Sequence, residues 1–221
     1  MGGNAVIFDV GGVLADDMHM PMLMKLAQKR DKPQQVERFR RAGSDAWRKI
    51  AVDSDYTEDQ FWAEIIKEAG LTETVEELKA MLRCERMRPF WGPLALAERL
   101  KKRGYLVGML SNHCREWFTE LWLRFRLGDI FDGDLCVVSF QIGCTKPDWP
   151  HFRPYSAIYE RLHRVAGVKK SNCVFVDDKK ANVDAASAFG MDSKVFDARK
   201  DDVVELVHYL VARGIDAGER P

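Results

Sequence analysis

Four short stretches of the chain set chemically able residues just beyond apolar runs. Asp9 follows Ala5-Val6-Ile7-Phe8 and is itself followed by Val10, Gly11 and Gly12. Ser111 and Asn112 follow Tyr105 to Leu110; Lys146 lies a little beyond Leu135 to Ser139; Asp177 and Asp178 follow Cys173 to Val176. Together these groups make a usable set. One carboxylate can attack an electrophile, a hydroxyl and an amide can hold the oxygens of an anion, and one cation can neutralise charge. Two further carboxylates can bind a hard divalent ion through oxygen. Adjacent carboxylates after an apolar run repel each other unless a cation stands near, which favours a metal over a solvated turn. Taken alone, Asp9 reads equally as a turn acid, and Ser111-Asn112 as polar side chains closing a turn on the backbone.

The elements that must position these groups follow from patterning. Short runs rich in branched and aromatic residues read as buried strands. They are expected at Ala5–Phe8, Tyr105–Leu110, Phe131–Asp132 with Leu135–Ser139, Cys173–Val176 and Lys194–Phe196. Amphipathic helices lie between them, so the fold class is α/β, a Rossmann-like parallel sheet built from βαβ units. A parallel sheet brings its carboxyl ends to one face, where such sheets bind ligands, so the four stretches converge. Asp16 to Arg88 contains no strand pattern. Helices are expected at 18–29, 34–50, from the Thr57–Gln60 capping box to Gly70, and at 74–82. That is too much for a crossover. The expected division is residues 1–15 plus 89–221 as the core, with 16–88 as an inserted all-helical subdomain. Gly214 to Pro221 is expected to be loose.

Composition narrows the partners. Among 221 residues, 34 Lys and Arg balance 34 Asp and Glu, which argues against nucleic acid or an anionic membrane as partner. No apolar run is long enough to span a bilayer, and no basic and apolar leader precedes the first strand. The five cysteines show no CxxC pair or metal spacing, so reduced thiols in a cytoplasmic protein are expected. Nothing in the pattern sets the oligomeric state.

The order Asp-x-Gly-Gly-Val-Leu from Asp9, Leu-Ser-Asn ending at Asn112, Thr-Lys-Pro-Asp from Thr145, and Phe-Val-Asp-Asp-x-x-x-Asn-Val from Phe175 resembles the four motifs of the haloacid dehalogenase-like hydrolases. The resemblance runs from Ala5 to about Phe196, with the helical insert where a cap of the first type would stand. It implies that Asp9 is a nucleophile forming an aspartyl-phosphate. Asp9 and Asp178 would be side-chain metal ligands, Gly11 would offer its backbone carbonyl, and Asp177 would stand beside them directly or through water. Ser111 and Asn112 would bind phosphate, and Lys146 would steady both nucleophile and phosphate. Asn182 would orient the last loop, although it equally suits a helix N-cap. Mg2+ is the implied ion, since every ligand is oxygen and the substrate carries phosphate.

One position departs from the pattern. Phosphatases of this family usually carry a second Asp two residues after the first, as acid and base; here Gly11 stands there. Losing such a group costs roughly 10²–10⁴-fold in rate. Asp16, Asp17 or His19 could replace it. The motif is similar to that of sugar-1-phosphatases with Asp-x-Gly, and good leaving groups are expected: sugar 1-phosphates, acyl phosphates, aryl phosphates. The implied activity is a Mg2+-dependent phosphatase of small phosphorylated metabolites, sugar phosphates among them. A weak or inactive binding protein of the same fold stays open. So does a dehalogenase, which attacks through Asp but needs no metal, and against which Asp177-Asp178 argues. His113 and Arg115 are candidates for substrate contact. Trp149, His151 and Arg153 either shape an entrance or brace a loop. Met18, Met20, Met22 and Met24 either face the cleft or pack within the helical insert and against the core, packing being the commoner use of such a stripe; Trp47, Phe61 and Trp62 read as the insert's own core.

Overall fold

The computed structural model describes residues 4–16, 19–29, 33–85 and 87–218; Asp17 and Met18 lie outside them. Strand β1 (Ala5–Phe8) is wholly buried and forms the centre of a five-stranded sheet. Its neighbours are β2 (Leu106–Ser111) and β4 (Cys173–Asp177), with β3 (Cys136–Val138) and β5 (Asp192–Val195) at the edges. All pairings are parallel, in the order β3-β2-β1-β4-β5. The chain thus starts at the centre, winds out to one edge, then returns and winds to the other. Its switch point lies between β1 and β4. Phe8 pairs with Met109 and Val176, so β1, β2 and β4 finish level and deliver Asp9, Ser111 and Asp177 to one rim.

Both sheet faces are buried, as a parallel sheet requires. Val6 and Phe8 point into one core, Ala5 and Ile7 into the other, following the two-residue period of a strand. Helix α9 (Arg153–Ala166) covers the second face through Tyr155, Ile158 and Leu162. Helices α5 (Trp91–Lys102) and α11 (Val203–Val211) cover the first.

Between β1 and α5 lie four helices: α1 (His19–Lys29), α2 (Pro33–Ile50), α3 (Glu58–Ala69) and α4 (Val75–Glu85). The capping box of α3 forms: the Gln60 amide donates to the Thr57 hydroxyl while the Gln60 side chain accepts from the Thr57 amide, and Gly70 closes the helix in the left-handed region at φ 68°. The chain leaves and re-enters this segment side by side. The Asp16 amide donates to the Arg88 carbonyl at 3.0 Å, and the Phe90 amide to the Leu14 carbonyl at 2.9 Å.

Some expectations shift. Phe131 and Asp132 do not extend β3. The Asp132 carboxylate accepts from the Asp134 amide and opens a single 3-10 turn instead. A short helix, α8 (Ser139–Ile142), follows β3 directly. The end of the chain is not loose where it is described: Ile215 and Ala217 are buried, the Asp216 amide donates to the Tyr105 hydroxyl, and Asp216 pairs with Arg103. All five cysteines are free, four of them buried; burial pushes the Cys136 and Cys173 thiols up to about 12. Among the described residues no helix is long and apolar enough to cross a membrane.

Candidate active site

Asp9 sits one residue past β1, 5% exposed. Its Oδ1 accepts from the Val10 amide at 2.7 Å and lies 3.0 Å from Lys146 Nζ. Lys146, 4% exposed, brings its ammonium into the sheet from the loop after α8. That ammonium also donates to Asp177 Oδ2 at 2.6 Å and to the Leu110 carbonyl at 2.7 Å. An ammonium has three N–H donors, and these three acceptors use them. One cation therefore serves two buried carboxylates, and the proton affinities of the two diverge. Burial pushes the Asp9 carboxyl up, to about 7, against the pull of Lys146 and Lys179 and with the repulsion of Asp177. Burial opposes ionisation of Asp177 too. There Lys146, the Lys179 amide and the Asn182 side chain outweigh it and hold the carboxyl below the usual range.

Asn182 donates from Nδ2 to both Asp177 oxygens, at 3.0 and 3.1 Å. It does so from inside helix α10 (Lys180–Phe189), whose cap position is Lys179, so the N-cap reading of Asn182 does not hold. Asn112 braces the lysine loop: its Nδ2 donates to the Lys146 carbonyl at 3.1 Å and its Oδ1 accepts from the Lys146 amide at 2.8 Å. The buried Ser111 hydroxyl lies beside the Asp9 carboxylate and eases its ionisation, yet it makes no well-formed hydrogen bond among the described residues. Its bonding capacity remains for a ligand oxygen.

The donors present fit a hard divalent ion. Asp9, Asp177 and Asp178 bring ligand oxygens within 4.8 Å of one another. Asp178 reaches this position because residue 12 is glycine. A Cβ there would lie 2.5 Å from Asp178 Oδ2, and the φ of 77° disfavours a side chain besides. The sharp turn therefore belongs to Gly12; Gly11 is not in the left-handed region. Since both Asp177 oxygens already accept hydrogen bonds from protein donors, Asp9 and Asp178 are the carboxylates better suited to direct coordination. Arg199 holds Asp178 in place: Nη2 donates to its Oδ2 at 3.0 Å, and Nε donates to Asp197 Oδ1 at 2.6 Å.

Above Asp9 lies a small chamber of about 50 Å³, walled by Gly11, Asn112, His113, Lys179 and Asn182 from the sheet rim and by His19 and Trp47 from the helical segment. His19 is buried, its ring stacked on Trp47 at 4.9 Å. Of the groups named for the missing acid, His19 lines the chamber and Asp16 does not; Asp17 lies outside the described residues. Of the two substrate-contact candidates His113 lines it, whereas Arg115 lies over the Phe140 ring. Arg153 braces a loop, with a two-pronged ion pair to Asp148 at 2.9 and 3.1 Å, and Trp149 packs its ring on Phe152. Met22, Phe61 and Trp62 are buried packing, as expected. Trp47 is not packing alone, since it forms part of the chamber wall. Trp47, Lys179 and Arg199 are the site residues that patterning misses. Trp47 looks like any apolar position of α2, and Arg199 follows the last strand with no motif around it.

The family model described as haloacid dehalogenase-like hydrolase matches residues 4–190, and the chain belongs to that family. No curated protein matches. Among solved structures, a HAD family enzyme from Bacteroides thetaiotaomicron, in complex with magnesium and inorganic phosphate, is 19% identical with a TM-score of 0.65, over 93% of this chain and 99% of that one. A HAD-like family hydrolase from Porphyromonas gingivalis is 18% identical with a TM-score of 0.61, over 96% and 98%. An L-2-haloacid dehalogenase from Xanthobacter autotrophicus, with chloropropionic acid covalently bound, is 19% identical with a TM-score of 0.55, over 96% and 84%.

Proposed function

We propose that this chain is a Mg2+-dependent phosphatase of small phosphorylated metabolites, sugar phosphates among them, acting in a reducing compartment such as the cytoplasm. One observation carries the reading: Asp9 is buried against Lys146, with Asp178 and Asp177 close enough to share a cation with it. A dehalogenase needs no metal, so carboxylates gathered closely enough to share a cation argue against it.

In the reaction so proposed, an Asp9 carboxylate oxygen attacks phosphorus, the bond from phosphorus to the ester oxygen breaks, and an aspartyl-phosphate forms. The leaving oxygen departs with the bonding electron pair and takes up a proton. His19 lines the chamber and is the group we take to supply it. A water then attacks phosphorus and gives a proton back to His19, the bond from phosphorus to the Asp9 oxygen breaks, and the carboxylate returns with phosphate released. Lys146 holds Asp9 in register, and Ser111 with the Asn112 backbone receives phosphoryl oxygens. Asp9, Asp178 and the Gly11 carbonyl would hold Mg2+, which would supply neutralisation of charge on the phosphoryl group. The four-helix segment acts as a cap, excluding water through His19 and Trp47. With glycine at position 11 the best substrates have acidic leaving oxygens, as in sugar 1-phosphates and aryl phosphates.

The test is phosphate release from glucose 1-phosphate and p-nitrophenyl phosphate. Activity should require Mg2+ and vanish in Asp9→Asn. Halide release from 2-chloropropionate that survives a chelator would replace this reading with dehalogenation. If nothing turns over, and beryllium fluoride with Mg2+ gives no Asp9-dependent thermal shift, the fold serves binding alone.

A further inference from the structure

The chamber over Asp9, at about 50 Å³, is well below the size of a small-molecule site. The rest of any substrate must lie elsewhere. A second cleft, of about 540 Å³, adjoins the chamber and shares Trp47, Asn112, Lys179 and Asn182 with it as a common wall. That volume is in the range of small-molecule sites. Its walls come from two bodies: Ser44, Trp47 and Arg48 from α2, and Thr145, Pro147 and Lys179 from the loops at the sheet rim.

The charge of this cleft is one-sided. It is lined by Arg48, Lys146 and Lys179, and among the described residues no carboxylate lines it. Lys146 is buried and its ammonium is committed to acceptors within the sheet. Arg48 and Lys179 line the cleft from its two walls, one from each body. Arg48 donates from Nη1 to Asp45 at 3.1 Å, and its side chain is 75% exposed. A guanidinium carries five N–H donors in a planar fork that suits a carboxylate or phosphate. Trp47 offers a ring face beside it, and Ser44 and Thr145 add hydroxyls.

We propose that the cleft binds a leaving group bearing a second anionic substituent, a carboxylate or another phosphate, held by Arg48 from the helical segment and Lys179 from the core. The preferred substrates are then phosphate esters with at least two anionic ends. Such a ligand bridges the two bodies, drawing Trp47 over the chamber. The inference rests on Asp9 being the nucleophile.

Matched pairs test it. 4-Carboxyphenyl phosphate and 4-carbamoylphenyl phosphate have nearly the same shape and differ in charge; glucose 1,6-bisphosphate against glucose 1-phosphate probes phosphate instead of carboxylate. The charged member of at least one pair should be favoured by about tenfold in kcat/KM, carried in KM and weakened by salt. Arg48→Gln should bring the ratio towards one, and Arg48→Lys should restore part of it. Equal turnover within both pairs, or a preference untouched by both Arg48→Gln and Lys179→Gln, overturns the inference. Binding of the same compounds to Asp9→Asn with Mg2+, measured by calorimetry, separates the two claims. A binding preference without wild-type turnover keeps the cleft and removes the phosphatase; turnover without preference does the reverse. Neither turnover nor binding removes both.

Discussion

Asp9 holds its proton more tightly in the folded chain than in the unfolded one. Its carboxyl stands near 7, against about 3.9 for a free aspartate. A raised carboxyl favours the folded state at low pH. The contribution is complete below about pH 4 and is lost as pH rises through 7. Metal binding needs the ionised form, so it becomes easier over the same interval. The thermal midpoint of the metal-free protein, relative to Asp9→Asn, should therefore fall between pH 5 and 8, and the gain from Mg2+ should be largest at pH 8. A Mg2+ gain that is flat across that range would refute the assignment. Asp9 and the Asp177-Asp178 pair are legible in the sequence because each sets a charge where an apolar strand ends, and Lys146 because it stands in Thr-Lys-Pro-Asp in the right order. Trp47 and Arg48 are not. A helix shows its apolar stripe in its periodicity, but not which residues beside that stripe will meet another body.

At the scale of elements, Arg83 of α4 joins the helical segment to the core. Its Nη1 and Nη2 donate to the Glu58 oxygens of α3 at 2.9 and 2.8 Å, and its Nε lies 2.9 Å from Glu120 of helix α6 (Arg115–Arg124). Glu58 is 3% exposed, and the Trp62 indole also donates to it, at 3.1 Å. Burial opposes its ionisation, and the Arg83 hydrogen bonds override that. Arg83→Met strands a buried carboxylate and should cost roughly 3–5 kcal/mol in urea unfolding. Adding Glu58→Gln should recover part of the loss. A single-variant cost below about 1 kcal/mol would mean the pair behaves as a surface bridge. The ends of α3 are readable because capping is local chemistry. The Arg83 bridge is not, because it joins residues far apart in sequence. Patterning overextends strand β3 for a related reason. Apolar Phe131 and Leu135 are buried, but Asp132 turns the chain between them, and burial alone does not distinguish strand from turn.

The whole molecule carries 34 basic and 34 acidic side chains. With so little net charge near neutrality, copies repel weakly. Self-association by light scattering should be greatest near pH 7 and fall at pH 5.5 and 8.5 in low salt; a flat profile would contradict this. The parallel sheet and its switch point are legible from strand and helix alternation, and they fix where Asp9 and Asp178 meet. The mutual placement of sheet and helical segment is not, because it depends on contacts between distant side chains. One feature of that placement bears on how such molecules diversify. The chain enters the four helices at Ala15 and leaves at Pro89, and these two residues form a bridge with each other. An interruption whose two ends touch asks nothing of the sheet. A different insert can therefore be joined here with the nucleophile's strand left unaltered, provided its own termini meet and it covers the buried surface the four helices share with the core. Selectivity can in this way be inherited, lost or borrowed separately from the reaction itself.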